Sequence, residues 1–255
     1  MIKKIVKLLY KTLFFSIISF CLFFLYLYST DLYEHLLTGY IQDRVVLVGN
    51  KDMTAHGTGF FIQGSSGKVY ILTNSHVCQI SENGVIYVQT KEMYIQKKKM
   101  KPIPRRILKI SKTSDLCIVE AIPGITPLKF AKDYIKFEAV SSYGFPKQYG
   151  FVPSIKGKIL GEKITELLDF LINNEKDMER CSNPKNFIIQ IDDYLACGVK
   201  IKSIETTLIT FGGNSGSPVV NVWGNVVGII FAASTETNWG ILIDLFEIQN
   251  FLKKY

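Results

Sequence analysis

The chain has 255 residues, 47% hydrophobic and 20% charged, which is enough apolar material for one medium-sized domain or two small subdomains and excludes intrinsic disorder. Its formal net charge of +8 overstates its basic character, because four of the 30 Lys and Arg residues (Lys3, Lys4, Lys7 and Lys11) precede the first apolar run, leaving 26 against 22 acidic residues. That balance is no nucleic-acid signature, and no nucleic-acid partner is expected.

The first element is the uncharged run "TLFFSIISFCLFFLYLY", residues 12–28. As a helix its seventeen residues cover about 25 Å, close to a bilayer core once the flanking apolar residues are added. Eleven positions are Leu, Ile or Phe, each favouring the membrane centre by roughly 0.3–0.6 kcal/mol. The run ends in Leu27, Tyr28, Ser29 and Thr30 rather than a small-x-small cleavage site, so a retained anchor over residues 1–30 is preferred to a cleaved signal peptide. A lipid contact through residues 12–28 follows. Lysines precede the run and "STDLYE" follows it, which orients the N-terminus to the cytoplasm and the remainder outside it.

After a juxtamembrane linker (31–43), residues 44–255 read as short strands punctuated by Gly, Asn and Ser. The first set is "RVVLVGN", "GTGFFIQG", "KVYILTN", "VIYVQT", "RILKIS" and "LCIVEAI", within about residues 44–130. The second, within about 138–245, is "AVSSYGFP", "SIKGKIL", "NFIIQID", "VKIKSIETTLITF", "SPVVNVWGNVVGIIFAAS" and "NWGILIDL". Two sets of this kind predict an all-β fold of two six-stranded antiparallel barrels. Between them in character stands "EKITELLDFLINNEKDMERC" (162–181), where Ile164, Leu167, Leu168, Leu171 and Ile172 recur at helical spacing and predict an inserted amphipathic helix. "IDLFEIQNFLKKY" predicts a C-terminal helix with its lysines outward. The basic cluster "KKKMKPIPRR" (97–106) reads as a solvated loop in preference to a lipid-binding patch.

Cysteine usage supports no metal site, since no C-x-x-C pair occurs among Cys21, Cys78, Cys117, Cys181 and Cys197. Cys181 and Cys197 flank one polar segment and can close a disulfide in an oxidising compartment, which spacing alone does not decide. Cys117, in an apolar run, reads as a small buried hydrophobe.

The stretch "ITFGGNSGSPVVN" (209–221) sets Ser215 among glycines before a β-branched strand. It is either a tight turn or a device that presents a hydroxyl. A serine nucleophile needs a base, and histidine has the suitable pKa. Of His35, His56 and His76, only His76 stands where a buried strand, "YILTN", gives way to a turn. A third group must fix the imidazole tautomer, and Asp115 lies at the mouth of the strand in "SDLCIVEA".

With "LTNSHV", "SDLCIVEA" and "GGNSGSP" in this order, and "GTGFF" and "GFP" beside them, the chain resembles the chymotrypsin-like serine peptidases over nearly all of residues 44–255. The tail looks most like the glutamyl endopeptidase and exfoliative-toxin branch, with HtrA-type peptidases as a second neighbour. The resemblance implies an acyl-enzyme endopeptidase acting on protein or peptide substrates, with His76 as base, Asp115 as orienting acid, Ser215 as nucleophile, and the amides of Gly213 and Ser215 as oxyanion donors. It calls for no cofactor and no metal.

By the same resemblance the substrate pocket is walled by Ile209, Thr210 and Phe211 and by Ile230, Phe231 and Ala232. Glutamyl-specific relatives carry a histidine after the Gly-Ile pair, where this chain has Ile230, and the trypsin-type pocket acid is replaced by Ile209. An uncharged, apolar P1 side chain is therefore expected. Two rivals stay open: a trypsin-like binding domain without activity, and a membrane-tethered adaptor docking through the inserted helix. A PDZ module is not expected, because the chain ends soon after the second strand set.

Overall fold

The computed structural model describes residues 2–96, 100–111, 113–147, 149–172, 175–182, 186–191, 194–253 and 255. The chain divides into two units, Met1–Tyr40 and Ile41–Tyr255. A helix, α1 (Ile2–Gln42), makes up the first and carries two residues into the second. The expected linker at 31–43 is helical to Gln42: "DLYEHLLTGYIQ" holds no proline and a single glycine, so nothing in it stops the helix. Leu13, Phe14 and Phe15 of α1 are exposed. Among the described residues no helix is long and apolar enough to cross a membrane, and in the expected anchor (1–30) the side chains of residues 1–12, 24, 27 and 28 lie outside the described residues.

The second unit starts with a closed barrel. Its elements are β1 (Val45–Gly49), β2 (His56–Gln63), β3 (Val69–Thr73), the single turn α2 (Ser75–Cys78), β4 (Val85–Thr90), α3 (Lys91–Ile95), β5 (Ile103–Ile110) and β6 (Cys117–Glu120). The order β1-β2-β3-β6-β5-β4 closes through β4 on β1. Val46, Val48, Phe61, Ile71, Ile86, Val88 and Val119 fill it, alternating with outward residues as period-two strands require. Cys117 also lies in this core, where it is bonded to Cys78 rather than standing as a lone small hydrophobe. Antiparallel pairing of β3 with β6 matches Thr73 to Cys117 and so brings α2, which follows β3, alongside.

The second barrel contains β7 (Ala139–Gly144), β8 (Val152–Ile172), α4 (Glu175–Arg180), β9 (Asn186–Ile191), β10 (Tyr194–Ile209), β11 (Pro218–Asn221), β12 (Val226–Ala233) and β13 (Trp239–Ile243). The sheet runs β13-β12-β11-β7-β8-β10-β9, and pairing of β10 with β13 closes six of the strands into a barrel. Val140, Ile159, Ile204, Leu208, Val219, Val227 and Leu242 form its core.

β8 and β10 outrun that barrel. Beyond Val199 the free edge of β10 is taken by β9 instead of β13, giving a three-stranded arm that the Cys181–Cys197 disulfide ties together. The inserted helix expected over 162–181 is thereby corrected: the segment is strand to Ile172 and helical only in α4. Helical spacing of the leucines is overridden by long-range pairing with β10, where Glu162 and Glu166 meet Lys202 and Lys200 at 3.2 and 3.4 Å, and Ile164 is left exposed. Of the basic cluster, Lys97, Lys98 and Lys99 lie outside the described residues, whereas Arg105 and Arg106 belong to β5.

The last helix, α5 (Leu245–Leu252), is capped by Asp244, whose Oδ1 accepts the Glu247 N–H at 2.8 Å. Burial raises the Asp244 carboxyl above its ordinary pKa, against the opposing pull of the Glu247 N–H and of Lys202 at 3.5 Å. The chain then returns to the first barrel: Tyr255 packs edge-on against Tyr70, and Lys109 sits 4.5 Å over the Phe251 ring.

Candidate active site

His76 is the second residue of α2, and Asp115 stands just before β6, so both hang from the β3–β6 pair. His76 Nδ1 lies 2.8 Å from Asp115 Oδ2. The other carboxylate oxygen, Oδ1, accepts the Ser75 hydroxyl at 2.7 Å and the His76 backbone N–H at 3.0 Å. The Asp115 carbonyl accepts the Ser75 N–H at 3.1 Å and the Asn74 amide at 3.0 Å. A carboxylate that is 4% exposed is thus met on both oxygens, as a buried charge requires.

Asp115 has φ +47°, a left-handed conformation uncommon for a residue with a side chain, and its bonds to residues 74–76 hold it there. The Cys78–Cys117 disulfide joins positions two residues beyond His76 and two beyond Asp115. The imidazole itself is half exposed, whereas its Asp115 partner is buried.

Ser215 comes from the second barrel and is tied to the first through backbone: the Thr58 N–H donates to the Ser215 carbonyl at 2.7 Å. A Cβ placed on Gly57 would meet both that carbonyl and the Val77 side chain within 3 Å, which shows how closely the Ser215 turn approaches the helical turn bearing His76. No hydrogen bond joins the Ser215 hydroxyl to the imidazole among the described residues. Contacts of that kind are often long before substrate is bound.

The turn leaves two of its amides unengaged among the described residues. In a trans peptide the carbonyl and the next N–H point opposite ways. The Gly212 carbonyl accepts the Lys147 N–H at 2.8 Å, which turns the Gly213 N–H away; the Asn214 carbonyl accepts the Ser217 N–H at 2.9 Å, which does the same for Ser215. Among the described residues neither amide has an acceptor. Gly213 at φ +99° is required here, because a Cβ would lie 2.5 Å from the Phe145 carbonyl oxygen; at Gly216, φ +87°, it would lie 1.9 Å from that of Thr58. Two free N–H groups beside a serine and a histidine–carboxylate pair can polarise an acyl group and stabilise a developing oxyanion.

The expected pocket residues divide. Ile209 is exposed at the end of β10, in register with Trp239, and Phe211 sets its ring 5.1 Å from that of Tyr149. Thr210 is buried, with its N–H and its hydroxyl both donated to the Asn238 carbonyl at 2.9 and 3.2 Å. Ile230 belongs to the core of the second barrel and serves the site through its backbone, which brackets Gly216 and Ser217. Phe231 is buried and Ala232 half-buried.

Thr58 and Ser75 went unassigned by sequence reasoning. Ser75 adjoins His76 and Thr58 lies within "GTGFF", but no local pattern reveals a hydroxyl's partner 40 or 155 residues away.

The trypsin-like peptidase domain model matches residues 57–229. A mitochondrial Arabidopsis thaliana protein described as protease Do-like 12 is 27% identical over 202 residues, covering 77% of this chain and 33% of its own, so the chain spans about a third of that relative's length. The active form of the Rv3671c protease from M. tuberculosis superposes with a TM-score of 0.62 at 19% identity, covering 84% of this chain and 81% of that one. An HtrA-type protease, AlgW, bound to a tripeptide gives a TM-score of 0.58 at 17% identity, over 87% and 64% of the two chains. These structures share the two-barrel fold, and because the domain model covers more than half of the sequence, the chain belongs to the trypsin-like peptidase family.

Proposed function

We propose that the protein is a membrane-anchored serine endopeptidase in which His76, Asp115 and Ser215 act as a triad. The observation that carries this reading is the His76 Nδ1 to Asp115 Oδ2 contact of 2.8 Å beside a serine turn with two free amides. His76 Nε2 takes the proton of the Ser215 hydroxyl as Oγ attacks the scissile carbonyl. Asp115 holds the imidazole tautomer and stabilises its positive charge. The Gly213 and Ser215 amides meet the oxyanion; His76 then protonates the leaving amine, and water hydrolyses the ester by the reverse sequence.

The test is labelling with a fluorophosphonate probe. Covalent modification at Ser215, absent in Ser215→Ala and with hydrolysis falling about 10⁵- to 10⁶-fold, is the expected result. A folded wild type that the probe does not modify overturns the reading in favour of a binding domain without activity. The adaptor alternative loses its basis, since the inserted helix it needed is mostly strand.

Residues 12–28 serve as the anchor, on the strength of their hydropathy and of the exposed Leu13, Phe14 and Phe15 on a continuous helix, with the peptidase unit extracytoplasmic. Alkaline carbonate extraction should leave the full chain in the membrane pellet and release a chain lacking 12–28; release of both removes the anchor. An apolar P1 residue is supported by Ile209 in place of a pocket acid and by the Thr210 hydroxyl being engaged with Asn238. Cleavage of a peptide library with preference for Glu, Lys or Arg would reverse this, the first restoring the glutamyl-branch reading of the tail.

A further inference from the structure

Thr58 lies on β2 of the first barrel, fully buried, and no step of the reaction above uses its side chain. Its hydroxyl nevertheless donates to the Gly213 carbonyl at 2.9 Å and accepts the Phe145 N–H at 3.1 Å, while its backbone N–H donates to the Ser215 carbonyl at 2.7 Å. Its own carbonyl accepts the Thr73 hydroxyl at 2.6 Å, which fixes the strand that presents it. Among the described residues it is the one that hydrogen-bonds both Gly213 and Ser215, the two residues of the turn whose amides are left without an acceptor. We propose, building on the peptidase reading, that the Thr58 hydroxyl is a positioning residue for the oxyanion donors, acting through the Gly213 carbonyl from the opposite barrel.

Three successive peptide planes set the turn. The Gly212–Gly213 plane is held by the Lys147 N–H, and the Asn214–Ser215 plane by the Ser217 N–H. The plane between them is held on its N–H side within the turn, by the Phe211 carbonyl at 3.0 Å, and on its carbonyl side, among the described residues, by Thr58 alone. Gly213 is the residue about which these planes rotate, and without a Cβ it has no steric barrier of its own. The Phe145 N–H shares the same hydroxyl, so the segment carrying Lys147, which orients the Gly213 amide, is referenced to the same atom. A hydroxyl that donates once and accepts once can do this; a methyl of equal size cannot.

The experiment compares Thr58→Val with Thr58→Ser in the full-length protein. With a peptide p-nitroanilide, Thr58→Val should lower kcat about 10- to 100-fold, short of the loss of a donor outright, and change KM by less than about threefold. A peptide aldehyde, whose hemiacetal carries an oxyanion-like oxygen, should lose affinity by the same factor as kcat/KM, whereas a product peptide should not. Thr58→Ser should recover most of the rate. A packing defect would move the melting temperature and both ligands together without this split.

Wild type that reacts with fluorophosphonate while Thr58→Val matches it in kcat and aldehyde affinity overturns this inference and leaves the peptidase reading standing. An inert wild type overturns both. Should Thr58→Val not fold, a crystal structure of the wild-type aldehyde complex decides. The Gly213 carbonyl must remain bonded to the Thr58 hydroxyl with its amide on the hemiacetal oxygen, and a carbonyl turned away from Thr58 refutes the proposal.

Discussion

The two barrels contribute to the site in different currencies of chemistry. The first supplies side chains: His76 and Asp115 hang from one strand pair, joined by five hydrogen bonds between residues 74–76 and Asp115 and stapled by Cys78–Cys117. The second supplies backbone, in a glycine turn whose Gly213 and Ser215 amides have no acceptor among the described residues while the neighbouring carbonyls are engaged. A side chain can be held by bonds to its own polar atoms, whereas an amide that is to stay unengaged must be held through the peptide plane it shares. His76 and Asp115 are thus fixed by bonds between two segments of one barrel, 39 to 41 residues apart, whereas the serine turn is held by Ser217 within itself, by Lys147 and, from the other barrel, by Thr58.

The comparison can be broken from either side. The largest effect is expected on the side-chain half: Asp115→Asn should lower kcat about 10⁴-fold by selecting the wrong tautomer of His76, with KM little changed in steady-state assays. A loss under tenfold would mean that the 2.8 Å contact is structural only. On the backbone half, Gly213→Ala should lower kcat about 10²- to 10³-fold, since its Cβ cannot coexist with the Phe145 carbonyl and the amide must rotate. Labelling of Ser215 should slow in parallel.

The disulfides sharpen the same contrast through stability. Removing Cys78–Cys117, which closes 39 residues inside the first barrel, should cost about 4 kcal/mol, and removing Cys181–Cys197, which closes 16 residues of the arm, about 3 kcal/mol. Denaturation in guanidinium checks these values, and only the first replacement should also reduce turnover, because only that bond lies beside His76 and Asp115.

The smallest effect concerns Asp244, remote from both halves. Its folded pKa is raised, so the folded state holds this proton to higher pH than the unfolded chain does. Stability from this group is therefore greatest below the ordinary carboxylate pKa and is lost as pH rises through the folded value. Asp244→Asn keeps an N-cap acceptor and should flatten that part of the pH dependence of melting temperature, shifting it by a few degrees at most. An unchanged profile would assign the pH dependence elsewhere.

Much of this fold is written in local chemistry. Alternating β-branched runs separated by Gly, Asn and Ser were enough to expect two six-stranded barrels, and "TNSH", "SDL" and "GGNSGSP" each stand at an element boundary where a side chain can leave a rigid strand. Residues 162–172 show the limit. Their leucines repeat at helical spacing, yet they pair with β10 residues some 20 to 40 positions away, a pairing that no local window contains. Cys117 is a similar case, because its environment predicts burial but not the sulfur 39 positions earlier.

Residue type and near neighbours were enough for most of the strands, the order His76, Asp115, Ser215 and the need for glycine around the serine, but not for residues 162–172 as strand, for β11 and β12 as two strands or for β9 lying outside the closed barrel. Tertiary structure alone decided that Cys78 bonds Cys117, that Ser75 and the His76 N–H share one oxygen of Asp115, and that Thr58 grips the serine turn from the other barrel. The physical reason is the same in each instance: a hydrogen bond or a disulfide needs its partner within a few ångströms, and chain closure over tens of residues is what brings the partner there.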